Sequence, residues 1–110
     1  MLLLNIDYVP GKEVEPLGLV KGTVVQSKNF GKDFMAGMKT LVGGEIVGYT
    51  EMLVEARQIA TKRMVDEAET LGADAVIDVK FGSSAIMSGA AEVIAYGTAV
   101  KIIGECDVVG

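Results

Sequence analysis

The chain has 110 residues, half of them hydrophobic, and a formal net charge of −5, which bounds it to one domain with enough apolar material for a core but little to spare. Its basic residues are scattered instead of forming a stripe, so nucleic acid is excluded as a main partner. No apolar run approaches a bilayer span, Met1 to Ile6 meets Asp7 too early for a signal-peptide core, and the single cysteine, Cys106, fits a reducing cytoplasm and precludes an intramolecular disulfide.

Leu2 to Asp7 reads as a short strand closed by the turn dipeptide Pro10-Gly11. Leu17 to Ser27, with Leu19, Val20, Val24 and Val25 around Gly22, reads as a second strand with a kink or bulge. The period then changes: Phe34, Met35, Met38, Leu41 and Val42 recur at three and four residue steps, predicting a short helix over 33–41 that Gly43-Gly44 ends.

The strongest element is a long helix over 50–71, free of Gly and Pro and stopped by Gly72. At about 100° per residue, Met52, Leu53, Ala56, Ile59, Ala60, Met64, Ala68 and Leu71 share one apolar face, extended by Val54, Thr61 and Val65. The polar strip is narrow, and Arg63 and Glu67, four apart, fall inside the apolar arc, where an unpaired charge is costly. This pattern predicts that a second subunit covers part of the helix.

Ala75 to Phe81 alternates, predicting Ile77, Val79 and Phe81 on one face of a strand and Val76, Asp78 and Lys80 on the other. Ser83-Ser84 is expected to loosen it, and Ser88-Gly89 to turn into a last strand over 92–103. That strand is apolar on both faces. Val93, Ala95, Gly97 and Ala99 form a shallow bed for the alanines of the helix, while Ile94, Tyr96, Thr98, Val100 and Ile102 form a bulky face that needs its own cover. Residues 104–110 read as a tail.

In order, the segments Gly18 to Val25, Leu41 to Glu45, Tyr49-Thr50 through Arg57, Leu71 to Val76 and Tyr96 to Val100 closely resemble the YbjQ-like family, small bacterial and archaeal proteins of unknown function that carry a heavy-metal-binding label. The resemblance covers residues 1–103. It implies an α+β, dodecin-like subunit, an antiparallel sheet packed against one long helix, assembled into a homopentameric ring.

The label directs attention to metal ligands. Soft and borderline metals take Cys thiolate or His imidazole, yet the chain has no His, and Cys106 lies beyond the matching segment. A metal site would need Cys106 or carboxylates from several copies; the ligand inventory of one subunit does not support a metal ion, and the sequence identifies no cofactor. Glu105 and Asp107 beside Cys106 also work against a reactive thiolate.

Glu51 and Glu55, one turn apart, could hold a hard cation or act as an acid/base pair, but compensation of the helix dipole accounts for them more simply. Glu45 follows the Gly43-Gly44 pair and precedes Tyr49, and there it could line a pocket between subunits; satisfying backbone N–H groups around the glycines is its plainer role. Arg57, Arg63 and Glu67 are expected to pair across a subunit interface. Asp74 is expected to bond backbone in a turn, and Asp78 is a candidate if its strand face is buried. The glycines match no phosphate-binding motif, and a triad that uses His is impossible.

These readings predict a cytoplasmic, non-enzymatic, self-associating protein, with ligands, if any, at subunit interfaces or on the ring axis. The alternatives are a metal-ion binder built from several copies, and an enzyme using Glu45, Glu51 and Arg57.

Overall fold

The computed structural model describes residues 1–27 and 47–105. Four strands, β1 (Leu2–Leu3), β2 (Lys12–Ser27), β3 (Ala75–Met87) and β4 (Ala90–Glu105), and one helix, α1 (Val47–Thr70), make up the regular structure of the described residues. The strands form a single sheet in the order β1-β3-β4-β2. The helix expected over 33–41, the Gly43-Gly44 turn and residues 106–110 lie outside the described residues.

The three long strands are antiparallel, but β1 runs parallel to β3, pairing Leu2 with Ala75 and Leu3 with Val76. The expected antiparallel sheet is therefore a mixed one. Direction is set by how the chain returns through α1, and a two-residue edge strand carries no local signal of it. The turn that follows is legible: Pro10 and Gly11 occupy its centre, and Lys12 N–H donates to the Val9 carbonyl at 3.0 Å.

All three long strands outrun their predicted bounds. β2 starts at Lys12, β3 continues through Ser83-Ser84 to Met87, and β4 spans Ala90 to Glu105, so the expected tail begins after the strand has used Gly104 and Glu105. Ser88-Gly89 makes the predicted hairpin turn, with Met87 opposite Ala90.

α1 stops by a Schellman motif. Ala73 N–H donates to the Ala68 carbonyl (3.1 Å) and Gly72 N–H to that of Glu69 (3.0 Å), with Gly72 at φ +76°, where a side chain would be strained. Asp74 then fixes the entry to β3. Its Oδ2 accepts the Ile102 N–H at 2.8 Å, and its own N–H donates to the Val100 carbonyl at 2.9 Å.

The main core lies between α1 and the sheet. Ala56, Ala60, Met64 and Ala68 of the helix meet Val20 and Val24 of β2, Val76 of β3, and Val93, Ala95 and Ala99 of β4. The shallow face of β4 is thus the helix bed, as its residue sizes predicted. A Cβ on Gly22 would strike the Ala60 carbonyl oxygen, the Met64 nitrogen and Arg63 Cβ, so only glycine lets the helix backbone lie this close to β2.

Among the described residues the opposite face is covered at one end only. Val9 tucks beneath the sheet against Ala75, Ile77 and Val100, with Leu4 and Val14 packed beside them. The chain's own N-terminal segment supplies that cover, while Leu19 and Val25 on the same face remain 65% and 61% exposed.

The predicted alternation along β3 fails at Asp78. Its φ is +55°, and the β3–β4 register shifts between Ile77 and Lys80. Beyond the irregularity, Val79 joins Val76 against the helix-side core while Ile77 packs on the other face. The backbone groups freed there bond the N-terminal segment: Asp78 N–H to the Ile6 carbonyl (2.7 Å) and Val79 N–H to that of Leu4 (2.9 Å).

Two measurements check this account. Gly22→Ala is expected to cost about 3 kcal/mol in urea unfolding, because backbone atoms must move to admit the methyl. At the far end of the β2–β4 ladder, Lys12 Nζ lies 3.0 Å from Glu105 Oε1, and this hydrogen bond holds the Glu105 carboxyl below its usual range. Its folded value lies below its unfolded one, so the contribution is present above the unfolded value and lost as pH falls through the folded one. The urea midpoint of Glu105→Gln should fall below wild type at neutral pH and converge with it in acid.

Candidate functional site

α1 draws most of its sheet contacts from β2 and β4, and only Val76 and Val79 of β3 pack against it. A groove of about 490 Å³ therefore opens between the β3-side flank of the helix and the strand, lined by Val54, Arg57, Gln58, Thr61, Lys62 and Phe81. Phe81 is 50% and Val54 41% exposed, large apolar surfaces left facing water.

The polar lining is cationic. Lys62 Nζ pairs with Asp66 at 3.1 Å across one helical turn, whereas the Arg57 guanidinium makes no ion pair among the described residues. Thr61 Oγ1 donates to the Arg57 carbonyl at 2.7 Å, which turns that hydroxyl toward the helix. The site thus offers an apolar floor, one aromatic edge and a free positive charge.

The other candidates disperse. Tyr49 is half-buried in the first turn of α1, while Glu51 and Glu55 are exposed on its surface. Arg63 and Glu67 make no ion pair with each other among the described residues. Arg63 Nη1 donates instead to the Thr23 carbonyl at 2.7 Å within the same chain, and both residues are exposed. The helix sits on a stripe that leaves them at its edge, so neither carries the buried charge that the wheel implied. Asp78 is half-exposed, and its Oδ1 accepts from Lys80 Nζ at 2.8 Å, a hydrogen bond that raises the Lys80 pKa. Glu45 and Cys106 lie outside the described residues.

Sequence reasoning missed the groove because it placed Phe81 on the face of Ile77. The available signal was Val54 and Thr61, which broaden the apolar arc toward one side.

A family model described as "Putative heavy-metal-binding" matches residues 1–103. The chain belongs to this YbjQ-like family. It is 64% identical over 103 residues to a UPF0145 protein of Clostridium novyi, covering 94% of this chain and all of that one. A UPF0145 protein of Fervidobacterium nodosum is 62% identical, covering 93% of this chain and 95% of its own. The crystal structure of a protein of unknown function from Pediococcus pentosaceus matches with a TM-score of 0.60 at 18% identity, covering 94% of this chain and 98% of that one. At that identity the likeness is one of fold.

The donor set of this YbjQ-like chain does not suit the family description within one subunit. His is absent from the sequence, and among the described residues no group of three or more Cys, Asp or Glu is placed to hold a metal ion. No helix among the described residues is long and apolar enough to cross a membrane.

The dispersal of carboxylates has a direct check. Asp74→Ala should lower stability by about 1 kcal/mol in urea unfolding through loss of the Ile102 bond. Glu51→Gln, on the exposed helix surface, should leave stability within about 0.5 kcal/mol.

Proposed function

We propose that the protein is a cytoplasmic, non-enzymatic module that works as an assembly of identical subunits, a dodecin-like homopentameric ring, with any ligand held at interfaces or on the axis. One observation carries this reading: the subunit leaves large apolar side chains uncovered in separate places. Leu19 and Val25 lie on the outer sheet face, Phe81 in the groove, and Met87, 65% exposed, at the end of β3. A chain of this length has limited scope to bury its own surface, and association supplies the remainder.

An enzymatic reading has less support, because Arg57 lines the groove and among the described residues no carboxylate does. Metal binding, which the family description suggests, requires donors from several copies, either Cys106 or carboxylates brought together by the ring.

Light scattering at micromolar concentration should give a mass near five subunits, and a stable, well-folded monomer would overturn the proposal. Calorimetric titration with Zn²⁺, Cu²⁺ and Cd²⁺, on wild type and Cys106→Ser, tests the metal reading, which flat traces on wild type remove.

A further inference from the structure

The two flanks of α1 differ in both charge and position. On the β3 side, Val54, Arg57 and Thr61 face the groove. On the other side, Arg63 Cβ stands beside Gly22 and its guanidinium reaches the Thr23 carbonyl, which marks that flank as lying over β2. At about 100° per residue, Glu55, Ile59 and Asp66 project from this second flank. Glu55 is exposed and makes no ion pair among the described residues, while Ile59 is half-buried. Among the described residues Arg57 on one flank and Glu55 on the other therefore stand without an ion pair, each beside apolar surface, while the Arg63 guanidinium on the second flank is committed to the Thr23 carbonyl.

The sheet is asymmetric in the same sense. β2 pairs only with β4, so among the described residues its outer edge has no strand beside it. β3 is covered on its outer side by β1 and by the segment through Ile6, as far as Val79. From Lys80 to Met87 that side has no described partner either. Among the described residues two free edges thus stand on opposite sides of one sheet, and free edges of this kind invite pairing with another chain.

We propose that a second copy of this chain docks head to tail in the groove, with its β2 edge alongside Lys80 to Met87 and its Glu55 flank against Arg57 and Phe81. Joining the sheets at these edges carries the second copy's helix over the β3 surface that α1 leaves bare. The unpaired Glu55 then faces the unpaired Arg57, and Phe81 and Val54 are removed from water. Because the two surfaces differ, the contact is heterologous and propagates around a closed ring, which a twofold dimer contact would not do. This inference rests on the self-assembly reading and assigns the surface that performs it.

The test is charge reversal read by light scattering and sedimentation, with circular dichroism reporting the fold. Arg57→Glu and Glu55→Arg should each weaken association by ~100-fold or more, since each sets like charges face to face. The double variant E55R/R57E should restore the wild-type mass, because every contact regains opposite charges. Phe81→Ala should also dissociate the assembly. Arg57→Gln keeps the test open if Arg57→Glu fails to fold, with an expected weakening of ~10-fold. A monomeric wild type would overturn the assembly reading itself. An oligomeric wild type whose mass is unchanged in Arg57→Gln and Phe81→Ala, or a double variant that stays dissociated, would overturn this docking surface and leave assembly standing.

Discussion

The backbone contact between α1 and β2 at Gly22 governs the rest of the structure. A helix normally stands off a sheet by the length of its side chains, but here the helix backbone at Ala60 and Met64 meets a strand residue with no side chain. The alanines at 56, 60 and 68, with Ala95 and Ala99 opposite, permit the same close approach along the interface, and Met64 is the large side chain fully buried on the helix side. Packing of this kind relies on many short dispersion contacts and leaves no room for an added methyl.

That contact also decides where the helix cannot be. Drawn over β2 and β4, α1 leaves the helix-side face of β3 beyond Val79 uncovered among the described residues, and Phe81 stands at the margin of the resulting groove. The bend at Asp78 completes the arrangement. An Asp at φ +55° is one of the few non-glycine residues that tolerates the left-handed region. By shifting the register there, it brings Val79 under the helix and offers two backbone N–H groups to the N-terminal segment. The same local irregularity therefore anchors the first residues of the chain and sets which apolar side chains are left over.

The chemistry available to one subunit follows from its inventory. Carboxylates are spread along the helix surface, the strand ends and a turn, and those in contacts are satisfied by Lys62, Lys80, Lys12 or a backbone N–H. Such pairs are exposed and fix local geometry more than they store energy. The heavy-metal description of the family therefore finds no counterpart among the described residues of one subunit, and the uncovered apolar surface directs attention to contacts between copies.

Much of the fold was legible from residue types. The body of α1 from Thr50 onward, its stop at Gly72, the Ser88-Gly89 hairpin and the shallow bed of Val93, Ala95 and Ala99 all follow from local propensity and side-chain size, which sequence determines by itself; the three residues from Val47 that begin the helix, Gly48 among them, do not. The parallel pairing of β1, the inverted faces of β3 beyond Asp78, the diversion of Arg63 to the Thr23 carbonyl and the groove at Phe81 were decided only by the tertiary structure. Each depends on a neighbour distant in sequence. Strand direction, register and the partner of an exposed charge are set by which segments the packed helix brings together, and no periodicity within a segment encodes them.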